Sequence, residues 1–467
     1  MVFSSVVFLF FFLPIFLAAY FLTPTTFGKN LTTLAFSLVF YSWGGPGFLL
    51  LLLGSIAFNF AAALIIDQFR GRTRSILLAI AVTANLLLLG VFKYAGFVTE
   101  NLASVLHTFG VSIATTTIAL PLGISFFTFH CLSYIIDVYR RRFAANRNPI
   151  EVALYIALFP QLVAGPIVRY KTVARQLHRR RHMLALASAG ARIFIIGLAQ
   201  KVLIADQLAE LVNVIFEKTP LPSMLESWIG LLSYTIQIYF DFNGYSNMAV
   251  GLGLILGFTF PRNFRLPYSS LSITEFWRRW HMSLSSWLRD YLYIPLGGNR
   301  GSAIETYRNL ITVFLICGLW HGAAWTFVLW GIWHGLFLVF ERLGVGRVLA
   351  RLPILLRWTY TILAVMGGWV LFRADDLLSA RLMFAGLVGR HGFGGLSFDV
   401  HAALQPLVFL ALFAGCTLAI LPRVVRLPTM ASPAVAALDG IWTFGLLLLA
   451  ALQVSAGAYS PFLYFRF

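Results

Sequence analysis

The strongest constraint on this chain is the recurrence of long apolar runs. They lie near residues 2–22, 31–42, 47–66, 75–98, 118–137, 184–216, 226–258, 309–340, 354–373, 403–421 and 438–456. Runs of roughly 18 or more apolar residues are candidate bilayer crossings, and inside hydrocarbon the backbone must satisfy its own hydrogen bonds, which a helix does. Some runs exceed one crossing and some fall short, so ten or eleven transmembrane helices are expected. Only 11% of residues are charged, less than half of the roughly 25% usual in soluble domains. No polar block is long enough to fold outside a membrane. The expectation is an all-α polytopic membrane protein, with residues 1–467 as one integral-membrane domain.

The net charge of +18, from 35 basic and 17 acidic residues, suits cytoplasmic loops better than nucleic acid. The cations sit between apolar spans and not in one tail, as the positive-inside rule requires. Clusters occur at Arg70–Arg74, Arg140–Arg142, His178–His182, residues 275–301, Arg342 through Arg357, and Arg423 with Arg426. Placing them in the cytoplasm makes the crossings alternate from an outside N-terminus as far as Arg140. Loops 99–117 and 217–225, poorer in cations, fall on the other side. The opening MVFSSVVFLFFFLPIFLAAYFL lacks a basic n-region and reads as a first transmembrane helix, not a cleaved signal. Cys131, Cys317 and Cys416 lie in apolar stretches without metal-like spacing, which disfavours disulfides and zinc.

Two segments break the pattern. PIEVALYIALFPQLVAGPIVRY (149–170) is interrupted by Pro160, Gly165 and Pro166, with basic clusters on both sides. Residues 309–340 also run between basic flanks, suggesting a hairpin of two half-length or tilted helices. Broken backbone at membrane depth is tolerated inside protein or along a cavity, so re-entrant segments around a cytoplasm-facing cavity are expected. Matching broken helices in both halves, as in inverted-repeat transporters, are absent. Asp67, Asp137, Asp206 and Asp241 are too scattered in sequence to argue for a transporter.

Two histidines, His321 and His334, lie deep in one apolar span, and an intramembrane ionisable group is a functional candidate by default. The competing reading is a core histidine bonded to a carbonyl. Their spacing of 13 resembles haem-ligand pairs, but no other span offers partner histidines. Cys317, one helical turn before His321, is a candidate acyl-enzyme nucleophile; a small buried hydrophobe is the plainer reading.

The segment EFWRRWHMSLSSWLRDYLYIPLGGNRG (275–301) packs four arginines, a histidine, an aspartate and six aromatics into 27 residues. Trp277, Trp280, Leu284, Trp287, Leu288 and Tyr291 recur at spacings of three and four, which predicts an amphipathic helix at the membrane surface with tryptophans at headgroup depth. Pro295, Gly297 and Gly298 then end it. Amphipathicity leaves His281 unexplained.

The same residues closely resemble the membrane-bound O-acyltransferase (MBOAT) family, in its bacterial alginate O-acetyltransferase branch. The resemblance runs through Ile273–Arg300 and Gly318–Gly335, and extends to PLGISFFTFHCLSYIIDVYR (121–140), FPQLVAGPIVRY (159–170) and IQIYFDFNGYSNMAVGLG (236–253). Asn243 and Asn247 depart from the branch's more usual Ser and Asp, and His130 from a common Gln. The resemblance implies an MBOAT-type bundle around a cavity and tunnel, with no resident cofactor. Its motifs map the proposed catalytic histidine onto His321, not His334, and a second polar position onto His281. Imidazole, with an ordinary pKa near 6.5, suits proton abstraction from an attacking hydroxyl, so His321 is assigned as general base and His281 as the residue orienting the second reactant. Arg278, Arg279 and Arg289 would meet the phosphates of acetyl-CoA, and Trp277 and Trp280 would line the donor cavity. The resemblance further implies an inner-membrane protein that moves acetyl groups toward an extracytoplasmic polysaccharide with the help of a transferase partner and an export complex. A relative that loads D-alanine onto teichoic acid shows that the donor need not be acetyl-CoA.

Overall fold

The computed structural model describes residues 1–116, 118–424 and 433–457, which leaves Arg426 of the last basic cluster outside the described residues. All regular elements among the described residues are helices. Six are long and apolar enough to cross a bilayer: Gly47–Gln68, Gly71–His107, Leu184–Lys218, Trp325–Arg351, Ile354–Arg373 and Ala437–Ser455. Shorter apolar helices cover Phe8–Leu22, Ile124–Tyr139, Leu377–Leu387 and Pro406–Ile420. At 1.5 Å per residue a helix of about 15 residues reaches only about 22 Å, short of the roughly 30 Å hydrocarbon core. The chain forms two compact units, Met1–Phe194 with Met248–Pro261, and Ile195–Asn247 with Arg262–Phe467.

The first unit carries α1 (Leu13–Leu22), α2 (Thr26–Ser42), α3 (Gly47–Gln68), α4 (Gly71–His107), α5 (Ile124–Tyr139), α6 (Pro149–Ala157), α7 (Phe159–Leu162) and α8 (Tyr170–His178). The expected break in 149–170 is there: α6 and α7 are followed by non-helical chain until α8. Residues 154–164 are all buried, so the interrupted backbone lies inside protein, as hydrocarbon demands. Within it Gln161 Nε2 donates to the Tyr155 carbonyl at 2.6 Å, and the Phe159 N–H donates to Ser37 Oγ at 3.1 Å. Gly123, at φ 72°, opens α5 so close to this loop that a Cβ would sit 2.6 Å from the Leu162 carbonyl oxygen. Only glycine meets both demands.

Two of the three unit boundaries fall within α9 (Leu184–Ala199) and α11 (Met224–Ile255), with α10 (Asp206–Asn213) between them, and the third follows Pro261. The second unit continues with α12 (Ile273–Trp277), α13 (Met282–Leu288), α14 (Ala303–His321), α15 (Trp325–Phe340), α16 (Gly346–Arg351), α17 (Ile354–Arg373), α18 (Leu377–Leu387), α19 (Phe398–Ala403), α20 (Pro406–Val424) and α21 (Pro433–Ser455). The hairpin expected over 309–340 is α14 and α15. Ser302 and Glu305 form a reciprocal capping box that starts α14. Helices in lipid gain little from apolar burial against one another, so close packing through small residues holds them. Gly318 and Gly331 provide it: a Cβ on Gly318 would lie 2.2 Å from the Phe327 carbonyl oxygen, and one on Gly331 would lie 2.4 Å from that of Phe314. Gly367 and Gly368 of α17 similarly admit the rings of Trp333 and His334 from α15.

The segment 275–301 departs from expectation. Residues 277–292 are not one amphipathic helix; α12 ends at Trp277 and α13 starts at Met282. Between them His281 adopts the left-handed region at φ 42°, which is costly for a residue other than glycine. The cause is competition for hydrogen bonds. Asn263 takes the Met282 N–H on its carbonyl at 2.8 Å and the Ser283 N–H on Oδ1 at 3.3 Å, while the Arg279 carbonyl accepts from Arg265 N–H at 2.9 Å. The Met282 and Ser283 N–H donors and the Arg279 carbonyl acceptor would otherwise continue the helix. Nor do these tryptophans face outward: Trp277 and Trp280 are 8% and 4% exposed, packed inside the unit.

Candidate active site

The second unit gathers His281, His321 and His334 with aromatic side chains into one buried row. His321 ends α14, with its ring edge-on to Trp330 of α15 at 5.0 Å and Phe372 of α17 at 5.1 Å. His281 stands edge-on to Phe242 of α11 at 4.6 Å. Trp320 lies beside both imidazoles, 4.9 Å from His321 and 6.2 Å from His281 between ring centroids. Forty residues of sequence therefore separate two rings that share one indole neighbour. His281 is 1% and His321 6% exposed.

His334 continues the row on the far side of Trp330, at 5.1 Å, and meets Trp277 edge-on at 5.0 Å. It is fully buried among rings, with a glycine of α17 against its Nε2. Trp280 packs against Trp369 at 4.9 Å and Phe264 at 5.0 Å. Trp277 and Trp280 thus belong to the aromatic packing behind the histidines.

His281 lies in the turn between α12 and α13, outside the candidate spans. Burial pushes its imidazole down to about 3, so the ring is neutral at physiological pH. Its Nδ1 is 3.1 Å from Asn263 Oδ1. α12 itself is held from α15's end: the Glu341 carboxylate accepts from the Ile273 N–H at 2.6 Å, the Thr274 N–H at 2.9 Å and the Thr274 hydroxyl at 2.6 Å. A buried anion at a helix N-terminus satisfies donors that have no partner within the helix.

The three candidate arginines differ. Arg279 pairs with Glu275 at 2.7 Å and Arg289 with Asp290 at 2.7 Å. Arg278 is exposed and makes no ion pair among the described residues, leaving its guanidinium open to an anionic ligand. Cys317 is buried in α14.

The carboxylates that looked scattered are not all so. Asp206 and Asp241 both meet Lys201 at 2.6 Å, with all three side chains under 5% exposed. Beside them Asn243 and Asn247 donate to Gln200 Oε1 at 3.1 and 3.0 Å, which gives the two branch-departing asparagines a local role in holding the π-helical turn Gln200–Ala205. Paired intramembrane charge is what a transporter would have been expected to show; the class is decided by the comparisons with known proteins.

A model of the MBOAT, membrane-bound O-acyltransferase family matches residues 117–372, more than half of the chain. The chain belongs to this family. It is a multi-pass membrane O-acyltransferase, and the matched region holds the whole row from Phe242 to Phe372. Among similar proteins, the probable alginate O-acetylase AlgI of Azotobacter vinelandii is 47% identical over 390 residues, covering 83% of this chain and 78% of its own. That of Pseudomonas putida is 44% identical over 490 residues and covers all of both chains. The peptidoglycan O-acetyltransferase of Helicobacter pylori is 37% identical over 428 residues, covering 84% and 80%.

Sequence reading missed Asn263, Glu341 and Lys201. Each has a partner well separated along the chain: Asn263 meets Ser283, Glu341 meets Ile273, and Lys201 meets Asp241. The one available signal was position: Asn263 sits in the polar interruption PRNFR, and Glu341 directly follows the apolar run of α15.

Proposed function

We propose that this acyltransferase is an inner-membrane O-acetyltransferase that takes its acyl group from cytosolic acetyl-CoA and serves an extracytoplasmic polysaccharide, with His321 as general base. The observation that carries the reading is Trp320, set beside His281 and His321 in one buried row. The acetyl class is supported by the likeness to a probable alginate O-acetylase and to a peptidoglycan O-acetyltransferase.

In this reading the hydroxyl oxygen attacks the thioester carbonyl carbon while the His321 imidazole takes the hydroxyl proton. The C–S bond breaks, the imidazolium returns its proton to the departing thiolate, and an ester and free CoA result. A neutral imidazole can take the first proton and, as imidazolium, return it in the second transfer. His281 orients or polarises the second reactant. Arg278 is the first choice for the anionic phosphates of CoA, with Arg279 and Arg289 reachable only by loosening existing ion pairs. Trp277 and Trp280 support the donor wall through ring packing. An extracytoplasmic transferase and an export complex complete the route to alginate, cellulose or a similar exopolysaccharide.

The test supplies membranes with acetyl-CoA labelled on the acetyl group and follows CoA release and the fate of the label. Wild type should move label to carbohydrate or a partner protein, and His321→Ala should not. A well-folded His321→Ala enzyme that transfers like wild type would remove the histidine from the chemistry.

A further inference from the structure

Asn263 contacts the histidine that the proposed mechanism uses for orientation through Oδ1, and its carbonyl and amide nitrogen are engaged beside it. Its backbone carbonyl accepts from Met282 N–H at 2.8 Å. Its Oδ1 accepts from the Ser283 N–H at 3.3 Å and the Ser283 hydroxyl at 2.9 Å. Its Nδ2 donates to Ser246 Oγ on α11 at 3.1 Å. These contacts fix which way the amide points. The Ser283 backbone N–H can only donate, so the atom facing it must be the oxygen, and Ser246 takes the amide nitrogen.

The His281 ring then has no choice of tautomer. Nδ1 faces an acceptor at 3.1 Å, so Nδ1 carries the proton and Nε2 keeps its lone pair. The second imidazole nitrogen is thereby set as the acceptor, a partner dependence common to working histidines. The same asparagine holds Met282 and Ser283, the two residues that follow the strained φ of 42°.

We propose that Asn263 is a positioning residue for acetyl transfer, fixing both the tautomer and the left-handed backbone of His281. The inference rests on the reading of His281 as a participant. It assigns a function to a residue 18 positions upstream, in a segment where no sequence motif singled it out.

The experiment measures acetyl transfer from labelled acetyl-CoA against pH, in membranes carrying Asn263→Leu, Asn263→Asp, His281→Ala, and the double variant His281→Ala/Asn263→Leu. Folding is checked by monodispersity in detergent. Asn263→Leu, close in size but without acceptor or donor, should lower kcat by about a hundredfold, the order expected from misplacing a reacting group, with KM for acetyl-CoA little changed. Asn263→Asp keeps the acceptor and should recover most of that loss. Its carboxylate also stabilises an imidazolium, so its rate should fall on acidification at a higher pH than wild type does. In the His281→Ala background, Asn263→Leu should cost nothing more, because Asn263 acts through the ring.

Wild-type rates in Asn263→Leu would overturn the proposal. So would a double variant that is slower than His281→Ala by the full Asn263→Leu factor, or an aspartate variant that neither rescues nor shifts the profile. Wild-type rates in His281→Ala would remove the underlying reading and the proposal with it, and that single variant reports this separately. Should Asn263→Leu fail to fold, the Asn263→Asp pH profile alone decides.

Discussion

Replacing Gly318 by alanine tests whether the approach of α14 to α15 sets the reacting histidine. An added Cβ would stand 2.2 Å from the Phe327 carbonyl oxygen, where ordinary contact begins near 3.4 Å. The obstacle is main chain, so relief requires the helices to separate or slide by about 1 Å, against a packed interior that resists such change. His321 lies on the same helical turn as Gly318, and its ring is seated against Trp330 and Phe372 on α15 and α17. Moving α14 by this amount carries the imidazole off those neighbours. A displacement of about 1 Å can cost about a hundredfold in rate, whereas overpacking costs about 1–3 kcal/mol in stability. Intrinsic helix propensity works in the opposite direction, favouring alanine by about 1 kcal/mol. The assay compares label transfer by Gly318→Ala and by Gly54→Ala, whose added Cβ in α3 meets nothing within 4 Å. Gly318→Ala should lose most transfer while Gly54→Ala stays near wild type. Equal activity in the two would refute the claim that helix spacing positions His321.

Lys201→Met leaves Asp206 and Asp241 buried without their cation; breaking such a pair costs about 3–5 kcal/mol. A clear fall in detergent melting temperature is expected, largely reversed by adding Asp206→Asn and Asp241→Asn, and an unchanged melt would contradict the ion-pair account. Glu341→Ala strips the acceptor from Ile273 and Thr274 and should cost about 1.5–3 kcal/mol, as for other hydrogen bonds to charged groups; Glu341→Gln should cost less, and equal losses would argue against the charge. The Ser302 N–H and hydroxyl hold the Glu305 carboxyl below its ordinary 4.5. Because the folded value is the lower one, that stabilisation is present above the ordinary value and fades as pH falls through the folded value. Glu305→Gln should therefore flatten the acid end of the stability curve, and an identical acid limb would count against the capping box.

Much of the architecture was legible in the chain. The break at 149–170 was readable from Pro160, Gly165 and Pro166, because proline and glycine act on local backbone. The α14–α15 hairpin was readable because one apolar run was too long for a single crossing between two basic flanks. The continuous helix across 277–292 was not what formed, although its apolar spacing was correct. Spacing reports which side chains favour burial together; it is silent on a distant asparagine that claims the N–H groups of Met282 and Ser283. The same limit hid the Lys201 cluster, since Lys201 and Asp241 stand 40 residues apart along the chain.

The sequence by itself determined the solvent this protein folds in, its helical class and which histidines to suspect, because hydrophobicity, backbone satisfaction and motif chemistry are properties of short stretches. Only the tertiary structure decided that His281 and His321 share Trp320, that Asn263 Oδ1 faces His281 Nδ1, and that two of three candidate arginines already hold carboxylates. Those are distances and directions between groups far apart in the chain, fixed by glycine-set helix spacing and long-range hydrogen bonds, and no local pattern encodes them.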